Sequence, residues 1–291
     1  MFTSILATTD LSGHAREAVL RAARIARDTG AALHIVHVLH AAALDKVRHH
    51  LADPPADLHT RLENAAGFAL EELGQAVAHD YGVTPTLRCV HGELMREIGR
   101  AGNEVFADLL VAGARGTSVA RHLLLGSTAE RLLAQTTRPM LVVRGPAEVS
   151  YRRVLVPVDF SESSLPALLH AQGLAPAGRI YALHAYEAPF EGKLRLAGLD
   201  DRELRTYVQR TAKEAEHAMA SLVALAPPTP HIQTMLLHGH PLAHTLDQQE
   251  ELACQLVVVG KGSGSRVEDF LLGSLSRRVL AQCTADVLMS V

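Results

Sequence analysis

The stretch Val111-Ala-Gly-Ala-Arg-Gly-Thr-Ser-Val-Ala-Arg-His-Leu-Leu-Leu-Gly-Ser-Thr128 decides the fold. It reads as a buried strand ending at Gly113, a glycine-punctuated loop, and a helix opening at Ser127. The spacing is Gly113-x2-Gly116-x9-Gly126-Ser127. Glycine lets the backbone take φ > 0 and approach a ligand, so that amide N–H groups turn towards one point. A helix N-terminus adds orphan N–H donors and partial positive charge, and the Ser127 hydroxyl is a further donor. The combination suits a phosphate chain. Arg115, inside the loop, could reach a β- or γ-phosphate.

Upstream, strands and helices alternate. Thr3 to Thr9 reads as an apolar strand and is followed by Asp10-Leu-Ser12. Residues 14–29 form an amphipathic helix with Ala15, Ala18, Val19, Ala22 and Ala26 on one face, capped by Gly30. A second strand covers Ala32 to Val38. A polar loop over about 41–57 leads to a long helix reaching Asp80. Pro85 to Val90 is a third strand, 93–101 a short helix and Leu109 to Ala112 the core of a fourth strand. After the glycine loop come a helix over 127–136 and a last strand, Met140 to Val143. This order predicts an α/β fold with a parallel sheet covered on both faces.

The same order then starts again. Arg153-Val-Leu-Val-Pro-Val-Asp159 repeats Ser4 to Asp10, and Tyr181 to Ala185 takes the place of Ile35 to Val38. His238-Gly239 repeats His91-Gly92, Leu256 to Gly260 repeats Leu109 to Gly113, and Leu271 to Ser274 repeats Leu124 to Ser127. The offset is 149 at the start and 147 later, a period that means duplicated domains rather than a solenoid. Domains over 1–146 and 151–291 are expected, joined by the short linker 145–150. The total of 291 residues agrees with two domains of about 100–200 residues each.

Composition narrows the function classes. With 48% hydrophobic and 20% charged residues the chain has ample material for packed cores. A net charge of −3 argues against a nucleic-acid surface. The longest apolar runs are far short of the ~20 residues of a membrane span, and residues 1–7 lack the features of a signal peptide. Cys89, Cys254 and Cys283 sit in or beside apolar runs without C-x-x-C spacing and read as small buried thiols. A soluble cytoplasmic protein without nucleic-acid or membrane partners is the expectation.

Ligands of doubly wound sheets sit beyond the carboxyl ends of the strands, where the strand order reverses. If the first and fourth strands of each half are neighbours, Asp10 faces Gly113, and Asp159 faces Gly260. A ribose hydroxyl suits such a carboxylate, and phosphates suit the glycine-rich amides. The alternative is that both aspartates only cap a helix or close a turn. Ser12 and Ser161 read as caps rather than ligands.

With these motifs in place, the chain resembles the universal stress protein family in its tandem form over nearly its whole length. The resemblance implies two domains, each a five-stranded parallel sheet of order 3-2-1-4-5 flanked by helices. It implies binding of ATP, or another adenine nucleotide with Mg2+, at the pattern Gly-x2-Gly-x9-Gly-Ser/Thr. Gly113, Gly116, Gly126 and Ser127 meet that pattern in full. Asp10, with Thr8 and Thr9 before it, would contact ribose or adenine; Val38 would supply backbone contacts to adenine, and Thr128 would continue the phosphate cradle. In the second half the corresponding residues are Pro157, Val158, Asp159, Ala185, Gly260, Ser263, Gly273, Ser274 and Leu275. That half departs from the pattern at Ser263, which stands where the second glycine belongs. Gly262 and Gly264 flank it and Lys261 could pair with a phosphate; equally, the Ser263 Cβ could crowd one. The family's dimer contact corresponds to the final strands of the two halves, which implies an intramolecular pseudo-dimer and leaves open a homodimer and an unknown protein partner.

Histidine is abundant, 17 in all. His240 and His244 stand at i, i+4, a spacing that can bind zinc on a helix, but no carboxylate or cysteine beside them completes a site, Asp247 standing one turn on. His37 reads as a structural hydrogen-bonding residue and His59 as a solvated one. Catalytic motifs are missing: no Walker lysine, no Gly-x-Ser-x-Gly elbow and no His-Glu-x-x-His helix. A nucleotide held as a regulatory ligand is therefore the reading, with a weak ATPase and a nucleotide-free stress-response scaffold as the alternatives.

Overall fold

The computed structural model describes residues 2–39, 55, 57–114, 125–187, 196–198, 200–228, 231–261 and 273–291. The chain divides into two compact units, Met1–Ser150 and Tyr151–Val291.

In the first unit the order is β1 (Ser4–Thr9), α1 (Gly13–Thr29), β2 (Ala32–Leu39), α2 (Leu58–Tyr81), β3 (Thr86–His91), α3 (Leu94–Glu104), β4 (Leu109–Gly113), α4 (Ser127–Gln135) and β5 (Met140–Val143). All strand neighbours are parallel, in the order β3-β2-β1-β4-β5. Parallel strands with helices on both faces need apolar side chains in both directions. Accordingly every residue of β1 is buried, and Leu109, Val111, Met140 and Leu141 have no exposed surface. The order reverses at β1: β2 pairs along one edge of it and β4 along the other, with α1 packed over β1 and β4. The carboxyl ends of β1 and β4 therefore flank the crevice.

Helix α1 starts where the Ser12 side chain accepts from the Ala15 N–H, and it ends at Gly30, whose φ of 75° suits glycine. The five expected apolar positions of this helix are all buried. Helix α3 runs on to Glu104 rather than stopping at 101, with Gly102 among its buried residues. The Glu93 carboxylate caps its start by accepting from the Arg96 N–H at 2.8 Å. The segment 145–150 is held along α1. The buried Arg21 donates to the carbonyls of Val149 (2.7 Å) and Pro146 (3.0 Å), Arg24 donates to Ala147 O, and Ala147 N–H donates to Glu17.

The second unit repeats the plan with β6 (Arg153–Pro157), α5 (Ser164–Leu174), β7 (Arg179–Tyr186), α6 (Asp201–Leu225), β8 (Ile232–His238), α7 (Pro241–Glu251), β9 (Leu256–Gly260), α8 (Ser274–Gln282) and β10 (Asp286–Ser290). Its strands follow the order β8-β7-β6-β9-β10, which is again 3-2-1-4-5 in its own count. The Tyr151 hydroxyl donates to the buried Asp286 carboxylate at 2.7 Å and ties the start of the unit to its last strand.

The duplication extends to backbone strain. Left-handed non-glycine residues occur in matched pairs, Leu11 (φ 65°) with Phe160 (62°) and Phe106 (49°) with Ala253 (46°). Such conformations are uncommon outside glycine and persist only where the surroundings enforce them. One sequence expectation needs correction: Cys254 and Cys283 are buried, but Cys89 is exposed, because β3 is an edge strand that its helices cover incompletely. Among the described residues no helix is long and apolar enough to cross a membrane.

Candidate functional site

Each unit places an aspartate just beyond its central strand, followed by a left-handed residue and a serine. After β1, the Asp10 carboxylate accepts from the Ser12 N–H at 3.0 Å, and the Thr9 hydroxyl oxygen accepts from the Leu11 N–H at 3.0 Å. In the second unit the Ser161 N–H (3.0 Å), the Ser161 hydroxyl (2.5 Å) and the Ser164 hydroxyl (3.0 Å) all donate to Asp159 Oδ1. Both aspartates therefore close an Asx turn, as the plainer reading required. For Asp159 the turn does not exhaust the carboxylate, since all three bonds converge on one oxygen. Partial burial pushes the Asp159 carboxyl up, but the hydroxyl and backbone donors of Ser161 and the hydroxyl of Ser164 outweigh it. The net effect keeps the group below its ordinary range and ionised.

Histidines of the second strands hold these turns from behind. His37 Nδ1 lies 2.9 Å from Thr9 O, and His184 Nδ1 lies 2.8 Å from Val158 O. His37 thus has the structural hydrogen bond expected of it. The His184 ring also packs on Phe160, the left-handed residue, with centroids 4.2 Å apart. Thr8 is buried, its hydroxyl directed at Val111 O at 3.5 Å across β1 and β4. Val38, half-buried, pairs in register with Val90.

Residues 115–124 and 262–272 lie outside the described residues, and with them Arg115, Gly116 and Ser263. The ends of both loops are described, and they are closed in the same way. Ala114 N–H donates to Val143 O, and Gly126 N–H donates back to Ala114 O at 2.8 Å. Lys261 N–H donates to Ser290 O, and Gly273 N–H donates back to Lys261 O at 3.0 Å. Each loop therefore leaves its strand and returns to a helix start at a fixed point. Helices α4 and α8 begin at Ser127 and Ser274 after Gly126 and Gly273, and among the described residues neither has a side-chain cap at that position. As at any helix start, their first N–H groups have no partner within the helix itself. The first turn of α4 contains Glu130, whereas Arg277 stands at the matching position of α8. That exchange makes the second helix start the more positive of the two.

In the second unit these parts surround a cavity of about 410 Å3. Pro157, Val158, Asp159, Ala185, Gly260, Gly273, Ser274 and Leu275 line it, eight of the nine residues that the resemblance assigned to that half. The volume falls within the range of about 300–1,000 Å3 typical of small-molecule sites. Ser163, Ser164, Thr245 and Ser276 line it too and were not anticipated. Their only signal was polarity at core-facing helix positions: Ser164, Thr245 and Ser276 are buried. The Ser276 hydroxyl donates to Gly260 O at 2.7 Å, so it fixes the end of β9.

The expected i, i+4 histidine pair on one helix does not form. His240 is the extended residue before α7, with Pro241 in the first turn, and His244 Nε2 lies 3.0 Å from His238 O.

Comparisons with known proteins agree with this architecture. A universal stress protein of Mycolicibacterium smegmatis is 28% identical over 245 residues, covering 78% of this chain and 77% of its own. One of Thermus aquaticus is 32% identical over 147 residues, covering 50% of this chain and all of its own. The crystal structure of a universal stress protein from Archaeoglobus fulgidus superposes with a TM-score of 0.70 at 22% identity, over 99% of this chain and 97% of that one. The family model for the universal stress protein family matches twice, at residues 1–144 and 150–290, and the chain belongs to that family.

Proposed function

We propose that the chain binds an adenine nucleotide, ATP in the first instance, and acts as a nucleotide-responsive stress or regulatory protein. The observation that carries this reading is the cavity of the second unit, where the expected nucleotide residues converge. Asp159 offers an ionised carboxylate for ribose hydroxyls, Ala185 and Val158 an apolar wall for the base, and the uncapped start of α8 its N–H groups for phosphate. The matched loop closure around Ala114 and Gly126 supports an equivalent site in the first unit, where Gly113, Gly116, Gly126 and Ser127 keep the full glycine pattern. Mg2+ would accompany a triphosphate as its counterion. In this reading the nucleotide acts as a ligand that shifts the population of two states it binds unequally. The internal pseudo-dimer belongs to the same proposal and is supported by two family domains in one chain.

Calorimetric titration with ATP, ADP and AMP tests the reading. Binding is expected, weakened by Asp159→Ala in the second site and by Gly116→Val in the first. No heat and no thermal shift at millimolar ATP would leave the nucleotide-free scaffold as the surviving function. Phosphate release at the rate of the binding-deficient variants excludes the ATPase.

A further inference from the structure

Among the described residues, one group of metal-ligating side chains stands together: His59 and Glu63 on α2 and His91 at the end of β3. Their ligand atoms all lie within 4.8 Å of one another. His91 Nε2 forms an ion pair with Glu63 Oε1, and His59 Nε2 lies 3.7 Å from the same oxygen. The two imidazole rings are 5.2 Å apart at their centroids and tilted by 40°.

The arrangement follows from two periodicities. His59 and Glu63 are four residues apart on a helix and so share a face. On β3 the alternate residues Leu87, Cys89 and His91 share the face towards α2, which is fixed where Leu87 packs against Gly74 of α2. Helix and strand thereby bring two nitrogens and a carboxylate to one point at the rim of the unit. The sequence concealed this, since Glu63 and His91 stand 28 positions apart. The fold does not require it either: His238, the counterpart of His91 in the second unit, packs against Tyr186 at 5.4 Å instead.

We propose that His59, Glu63 and His91 form a zinc site built from two imidazoles and one carboxylate. That is a ligand set that zinc accepts, with ligand bonds of about 2.0–2.2 Å and a fourth position left to water. The side chains lie at the surface, so small rotamer changes bring the three donor atoms to that distance, and the ion enters directly from solvent. Bound there, it would cross-link the first turns of α2 to the end of β3. Its charge would also replace the proton that an imidazole needs in order to pair with Glu63.

The test uses the full-length chain stripped of metal by a chelator and titrated calorimetrically with Zn2+, with visible absorption of Co2+ as the geometric probe. One equivalent is expected at this site, with a tetrahedral or five-coordinate Co2+ spectrum and a rise in melting temperature. Removing a direct ligand should weaken binding at least as much as losing a supporting residue does, by about 10–100-fold or more, in Glu63→Gln and in His91→Ala. Unchanged melting of both variants without metal shows that they are folded, while His244→Ala leaves the affinity untouched. Zinc binding of undiminished strength in His91→Ala, or none at micromolar Zn2+ in the parent chain, overturns the proposal. The second result would leave the three side chains as a surface ion pair.

Discussion

His37 Nδ1 stands 2.9 Å from the Thr9 carbonyl oxygen, so a side chain from β2 grips the backbone at the last residue before Asp10. A carbonyl only accepts, so the Nδ1 position carries the proton. The second unit repeats the bond with His184 and Val158 at 2.8 Å. Replacing either histidine by leucine keeps most of the volume but loses the donor. Each substitution should destabilise its unit by about 0.5–1.5 kcal/mol, the net worth of one hydrogen bond, measured by urea denaturation. His184→Leu should also weaken ATP binding at the second site more than it weakens stability, because the turn bearing Asp159 loses its support.

Asp159 has a folded-state pKa below its ordinary value, so its stabilising contribution is present above about pH 3.9 and is lost as pH falls through the depressed value. Asp159→Asn removes this acid-branch dependence. The stability difference between parent and variant should therefore be full at neutral pH and shrink in strong acid. A difference that stays constant down to acid unfolding would show that Asp159 does not carry it.

Tyr151 and Asp286 are both buried, and a 2.7 Å hydrogen bond joins them. Tyr151→Phe should cost about 1–3 kcal/mol by chemical denaturation, because a buried acceptor loses this donor. Because the pair lies at the amino-end side of β10, away from the cavity residues, ATP affinity should be unaffected.

Gly260 ends β9 with Ser163 packed against it. A Cβ there would stand 2.7 Å from the Ser163 Cβ and closer still to its hydroxyl. Gly260→Ala is expected to cost about 1–3 kcal/mol of overpacking and to reduce nucleotide affinity at the second site. Adding Ser163→Gly to the same chain should restore most of both losses.

The three thiols should differ sharply in a native-state titration with a disulfide reagent. Burial drives the Cys254 thiol up to about 12, against the opposing charge of Arg153 and with Cys283 adding to the rise. Cys254 and Cys283 should react only on unfolding. Exposed Cys89 should react first, at a rate held down by partial desolvation and by the nearby Glu63 charge, so Glu63→Gln should accelerate it.

Much of this architecture was legible because parallel strands buried on both faces leave continuous apolar runs, as in Leu109 to Ala112, and because Ser12 and Gly30 mark a helix at both ends. The doubling of the chain was legible from aligned motifs such as His91-Gly92 and His238-Gly239. What escaped were features decided between distant segments. Ser163 and Ser164 look like ordinary cap serines until β9 brings Gly260 against Ser163. The grouping of His59 with His91 depends on the packing of α2 on β3, which no local spacing encodes. The misplaced histidine pair had a local cause: Pro241 starts α7 after His240, so the i, i+4 rule did not apply to that residue.

The matched left-handed residues have an implication for tolerance to change. Leu11 and Phe160 differ in shape, one aliphatic and one aromatic, yet both hold φ near 60°, so the path of the backbone is the same in the two units where the residue is not. Such a position excludes proline and, among the other side chains, strongly disfavours branching at Cβ. A saturation scan of the whole gene should therefore carry an echo: valine, isoleucine and threonine depleted at 11 and again at 160, at 106 and again at 253. Those two pairs would mark the same backbone path at matching places in both units.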